Sequence, residues 1–211
     1  MEAGVRTREE TPRAVARGLP IRDYIALTKP KVQSLLLFTT ITTMYVAGDP
    51  SIGLVALTCL GGALSAGGAG AVNHYYDRDI DAVMKRTATR PIPSGRISPR
   101  TALWYGIALQ VASFALLSLT VNVLAASLAL AGFLGYVLVY TMWLKRSTPQ
   151  NIVIGGAAGA VPPLVAWAAT TGHLSGASLY LFAIVTSTPI PRIHEPIVEI
   201  RLSVPQSGCS S

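Results

Sequence analysis

Asn73, Asp77 and Asp81 recur at every fourth position where a long apolar run gives way to a polar loop. On a helix, steps of four put the three side chains on one face, one turn apart. Carboxylates at the edge of a membrane span are costly to desolvate, so they need a cation or a basic partner. Oxygen donors in a row suit a hard ion such as Mg2+, which takes one or two carboxylates and completes its shell with water and phosphate oxygens. Six basic residues follow at once: Arg78, Lys85, Arg86, Arg90, Arg96 and Arg100. Metal ligands beside clustered arginines read as a diphosphate site. The bland reading of the same loop is a solvated face with balanced charges. Asp79 lies off the shared face and is expected to pair locally with Arg78 or Lys85.

The elements that must position this row are membrane helices. The chain of 211 residues is 51% hydrophobic and only 13% charged, against about 25% charged in soluble domains. The formal net charge of +7 does not point to nucleic acid, because the basic residues cluster between apolar runs as cytoplasmic loops do. Spanning a hydrocarbon core of roughly 30 Å takes about 20 residues. Runs at 32–48, 51–72, 102–120, 123–143 and 152–171 approach or meet that length, and 177–188 is too short as it stands. Turn residues at 49–50, 121–122 and 172–173 join neighbours as antiparallel hairpins. All 17 Lys and Arg fall on one side of this arrangement. The positive-inside rule makes that side cytoplasmic, with the N-terminus on it. The expectation is an all-α integral membrane protein with about five to six spans. It divides into a basic cytoplasmic segment over 1–31, a membrane domain over 32–188 and an atypical, disordered tail over 189–211. The first apolar run is read as a retained span rather than a cleaved signal.

Local signals refine the picture. Helical spacing of Ile80, Val83 and Met84 predicts that the second span continues to Met84. Arg90-Pro91-Ile92-Pro93 predicts an extended turn, and Ser98 or Thr101 an N-cap for the third span. Pro162 and Pro163 fall mid-run in the fifth span and predict a kink. Small residues at 61–63, 67–70 and 155–160 either let helices pack closely or line a cavity for a lipid tail, and spacing alone leaves both open. Cys59 and Cys209 form no metal or disulfide framework. His74, His173 and His194 are isolated and are read as structural or solvated.

The pattern Asn-x-x-x-Asp-x-x-x-Asp at the end of a second membrane helix resembles the first signature of the UbiA superfamily of intramembrane prenyltransferases. The fuller string, Asn73, Asp77-Arg78-Asp79-Ile80-Asp81, Met84-Lys85-Arg86-Thr87 and Arg90-Pro91, is similar to the branch of that superfamily that farnesylates protoheme IX. So are Tyr24 with Leu27-Thr28-Lys29-Pro30-Lys31, and Tyr140-Thr141 with Leu144-Lys145-Arg146, Thr148-Pro149-Gln150-Asn151 and Gly155-Gly156. The resemblance runs over about residues 22–185.

It implies a UbiA-type helix bundle in the inner membrane that uses farnesyl diphosphate and heme B (protoheme IX). Asn73, Asp77 and Asp81 would hold Mg2+ on the diphosphate. Arg86 and Arg90 would neutralise its oxygens, with Lys145 and Arg146 contributing from the next cytoplasmic loop. The family's second acidic signature has no counterpart after residue 185, so the 211 residues alone are expected to transfer farnesyl poorly. The other readings are a UbiA-type transferase acting on an aromatic acid or quinone precursor, and a non-catalytic membrane fragment.

Overall fold

The structure is a computed structural model, and it describes residues 21–85, 87–144 and 159–187, the side chain of Leu144 excepted. Among these residues every regular element is helical. A short helix α1 (Ile21–Leu27) leads into α2 (Pro30–Ala47), and α3 (Ile52–Tyr76) returns antiparallel to it. A one-turn-and-a-half helix α4 (Arg78–Val83) and a coiled loop precede α5 (Pro99–Thr120). Then α6 (Val123–Leu134) runs on into π-helical turns over Gly135–Leu144. The described part closes with α7 (Val161–Thr171) and α8 (Gly176–Ser187).

Among the described residues three helices are long and apolar enough to cross a membrane: Ile52–Tyr76, Pro99–Thr120 and Val123–Trp143. Their starts follow ordinary capping rules. The Ser51 hydroxyl accepts from Leu54 N at 3.2 Å, Ser98 from Thr101 N at 3.1 Å, and Asn122 from Ala125 N at 2.7 Å. Ser98, not Thr101, is thus the cap of α5. Large apolar side chains such as Leu35, Phe38, Trp104 and Leu119 project outward, as a lipid-facing surface requires.

The interior is built from small residues at the helix crossings. A Cβ on Gly68 would lie 2.6 Å from the Gly106 carbonyl, and one on Gly106 would lie 2.7 Å from Val72 and 2.8 Å from the Gly68 carbonyl. These two glycines therefore set how closely α3 and α5 approach. Ser113 Oγ donates to Gly61 O at 2.7 Å across the same seam. At the turn end of the bundle Met44, Leu117, Ala125, Ala126, Val165 and Ala166 form one core. At the polar-loop end Leu27, Ala71, Ile92, Ile97 and Ala102 form a second core, with Tyr24 and Tyr105 packed edge-to-face 5.0 Å apart.

Two local expectations need correction. The second span does not run unbroken to Met84: α3 ends at Tyr76, and Asp77 (φ −86, ψ 0) is the joint between it and α4. Residues 90–97 do not extend. Ser94 N bonds Arg90 O, and both Arg96 N and Ile97 N bond Pro91 O, so the two prolines sit inside successive tight turns. The kink expected at Pro162 and Pro163 falls at the start of a described helix. They lie in the first turn of α7, where the absent N–H groups have no intrahelical partner to lose. Residues 152–158, the remainder of that expected span, lie outside the described residues.

Candidate diphosphate site at the mouth of a membrane cavity

All three members of the Asn73/Asp77/Asp81 row are buried, at 3%, 3% and 5% exposure. Charged groups are almost never buried so completely unless partnered. The joint at Asp77 does not scatter the row. Asp77 N bonds Asn73 O at 2.9 Å and Asp81 N bonds Asp77 O at 2.8 Å, so helical spacing carries across the break.

Each side chain is held by a different element. The Asn73 carboxamide accepts from Lys29 Nζ at 2.6 Å and donates to Thr141 Oγ1 at 3.3 Å. Thr141 in turn donates to Tyr136 O at 3.0 Å. Asp81 receives Arg90 Nη1 on both oxygens, at 2.9 and 2.7 Å, and His74 Nδ1 lies 3.8 Å from Oδ2. Thr87 Oγ1 donates to the Asp81 carbonyl at 2.9 Å and ties the following turn to α4. Asp77 lies within electrostatic reach of the Tyr136 phenol.

The backbone at Lys29 is unusual. It has φ 54 and ψ 61, the one non-glycine residue with positive φ among those described, and it stands directly before Pro30 at the start of α2. Left-handed backbone costs a non-glycine residue about 1–2 kcal/mol, so the surrounding packing must over-determine it. The result is an ammonium group aimed from the α1–α2 corner into the row.

The other basic residues diverge. Arg96 Nε is 3.1 Å from both oxygens of Asp23, and its Nη2 donates to Thr89 O. This pins the loop onto α1. Arg78 turns back onto its own helix end, donating to Tyr75 O at 2.7 Å with its guanidinium 4.5 Å from the Tyr75 ring centre. Arg86, Lys145 and Arg146, expected to contact the diphosphate, lie outside the described residues.

Lys29, Thr141, Tyr136 and Asp23 were missed as site or site-supporting residues by spacing arguments. The available signals were a lysine directly before a helix-opening proline and isolated polar groups in an otherwise apolar run.

Behind the row lies a cavity of about 240 Å³. Lys29 and Tyr136 line its polar-loop end, and Leu36, Thr40, Thr58, Ala66, Phe133 and Val165 line its depth. Its wall on α3 includes Gly62, Ala66 and Ala69, steps of three and four that lead one turn later to Asn73. The small residues of α3 thus serve both purposes left open by the sequence. Gly61 and Gly68 face α5 closely, while Gly62, Ala66 and Ala69 leave space.

The donor set at the mouth is oxygen-only, one carboxamide and two carboxylates, which is the composition a hard divalent ion takes when phosphate supplies the rest. No cluster of three or more His, Cys, Asp or Glu side chains that could enclose a metal unaided occurs among the described residues.

Comparison with known proteins places this geometry in a family. The UbiA prenyltransferase family matches over residues 36–194. The chain is 58% identical over 170 residues to a protoheme IX farnesyltransferase of Symbiobacterium thermophilum, covering 80% of this chain and 57% of that one. It is 59% identical over 167 residues to another from Roseiflexus sp., covering 78% and 31%. It is 54% identical over 171 residues to that of Acidiphilium cryptum, covering 80% and 53%. The chain therefore spans about a third to a little over half of these relatives. A UbiA homolog from Archaeoglobus fulgidus, solved bound to DMAPP and Mg2+, superposes with a TM-score of 0.65 at 21% identity, covering 78% of this chain and 60% of that one. The sequence match and the shared helical bundle agree: this chain is an integral membrane protein of the UbiA prenyltransferase family.

Proposed function

We propose that this chain is part of a prenyltransferase that moves a farnesyl group from farnesyl diphosphate to a vinyl group of protoheme IX, giving heme O. The observation that carries the reading is the burial of the Asn73/Asp77/Asp81 row together with its bond, through Asn73, to Lys29, which itself lines an apolar cavity. The relatives named for heme farnesylation and the structural neighbour bound to DMAPP and Mg2+ support the choice of substrates. On this reading the row opens to the cytoplasm, because all Lys and Arg fall on that side of the inner membrane.

The residues divide the work. Asn73, Asp77 and Asp81 would hold Mg2+, which supplies charge neutralisation for the leaving diphosphate. Lys29 and Arg90 stand beside the row as preorganised cations for diphosphate oxygens, with Arg86, Lys145 and Arg146 as further donors. The isoprenoid tail lies in the cavity, where apolar walls keep water from the allylic carbon as its C–O bond breaks. The heme vinyl carbon attacks that carbon, and water adds to the resulting cation with loss of a proton. The products are a hydroxyethylfarnesyl substituent and free diphosphate.

The test is binding of a non-hydrolysable farnesyl diphosphate analogue to the purified chain in detergent. Mg2+-dependent binding that falls at least about tenfold in Asp77→Asn supports the reading. Binding indifferent to both Mg2+ and Asp77 would sink it. Heme O, rather than a prenylated aromatic acid, is the expected product when the chain is completed with the part of a relative that it does not cover.

A further inference from the structure

The cavity has a built floor. Thr40 and Thr58 line its deep end and are 5% and 0% exposed, and the Met44 side chain, fully buried in the core near the turns, belongs to the layer packed at that end. Thr40 Oγ1 is committed to Leu36 O at 2.8 Å. Thr58 Oγ1 has no hydrogen-bond partner among the described residues. A buried hydroxyl without a partner costs about 1–3 kcal/mol, an unusual feature to retain in an apolar wall unless something in the cavity comes to meet it.

The depth is defined by helix geometry. From Lys29 at the mouth to Thr40 at the floor is eleven residues of α2, about 16 Å at 1.5 Å per residue. On the facing helix Gly70 stands level with the start of α2, a Cβ on it lying 3.0 Å from Leu27 O, so Thr58, twelve residues earlier, is about 18 Å down and Gly62, eight earlier, about 12 Å. A chain of three isoprene units has about a dozen carbon–carbon bonds of about 1.5 Å, which zigzag to about 15 Å when extended. Gly62 is the bare point on this wall: a Cβ built there meets no atom within 4 Å, so a side chain would enter open space.

Resting on the function proposed above, we propose that Gly62 and Thr58 are the specificity residues that set isoprenoid length. The missing side chain of Gly62 admits the third isoprene unit, and the Thr58 floor stops a fourth. The Thr58 hydroxyl then faces the terminal alkene of a three-unit chain.

The experiment measures binding of geranyl, farnesyl and geranylgeranyl S-thiolodiphosphates, with Mg2+, to the 211-residue chain in detergent. Wild type should bind the farnesyl compound most tightly. Gly62→Leu should weaken farnesyl binding by at least about tenfold while leaving geranyl binding within about twofold. Gly62→Ala, one methyl in open space, should shift the same ratio in the same direction by less and guards against a failure to fold. Gly53→Leu is the control, because its Cβ also meets nothing within 4 Å but Gly53 does not line the cavity. It should change neither affinity. Equal loss of geranyl and farnesyl binding in Gly62→Leu, or no loss of either, overturns the length assignment while leaving the diphosphate site standing. Failure of all three compounds to bind wild type overturns the function and this inference together.

Discussion

Arg90 presents a single guanidinium nitrogen, Nη1, to both oxygens of Asp81, at 2.9 and 2.7 Å. The carboxylate is 7% exposed and the arginine side chain 34%, so the pair joins a buried acid to a half-buried base. The arginine supplies the positive charge that the buried acid requires. Removing one partner leaves the other uncompensated.

Arg90→Ala should therefore lower stability by about 1–3 kcal/mol, read as an earlier thermal melt in detergent. Asp81→Asn added to Arg90→Ala should recover part of that loss, because the neutral amide no longer needs a cation. Additive losses in the double variant would show that the two groups do not compensate each other.

Lys29 combines an energetic cost with a functional contact. Its left-handed backbone is easy for glycine and costly for alanine. Lys29→Gly should thus melt later than Lys29→Ala, by about 1 kcal/mol in stability. Both variants lose the ammonium that reaches Asn73 and should bind inorganic pyrophosphate more weakly than wild type. If the glycine and alanine variants melt alike, the backbone at 29 carries no strain.

The α3–α5 seam offers a packing test. Gly68→Ala would drive a methyl to 2.6 Å from the Gly106 carbonyl, a rigid backbone group that cannot swing aside. Overpacking of this kind costs typically about 1–3 kcal/mol. Gly53→Ala, in open space on the same helix, should instead be neutral or slightly stabilising, since alanine is the better helix former. Thermal melts of the two alanine variants, compared side by side, measure the difference.

The Arg96–Asp23 pair joins the polar loop to α1. The arginine is 44% exposed, so solvent screens the interaction and Arg96→Ala should cost less than about 1 kcal/mol in global stability. Its effect should be local: faster protease cleavage within residues 84–98 at unchanged melting temperature. A large drop in melting temperature would place this pair in the structural core instead.

Much of this protein was legible in its sequence. Apolar runs of membrane length, turn residues between them and lysines and arginines confined to alternate loops define an all-α membrane bundle, because a bilayer requires every backbone polar group to be satisfied within its own helix. The steps of four from Asn73 to Asp81 placed three oxygen donors together, because helical periodicity is a local property. What periodicity could not supply was partnership across the bundle. That Asn73 is held by Lys29, 44 residues away in the chain, and by Thr141, 68 residues away, follows only from how α2, α3 and the π-helical turns converge. The same holds for the glycines. Gly61 and Gly62 are neighbours in sequence, yet one abuts Leu117 and the other opens into the cavity, because a rotation of about 100° per residue turns them toward different helices. The break at Asp77 was likewise decided in three dimensions, where packing of the polar loop against α1 and α5 outweighs local helix propensity.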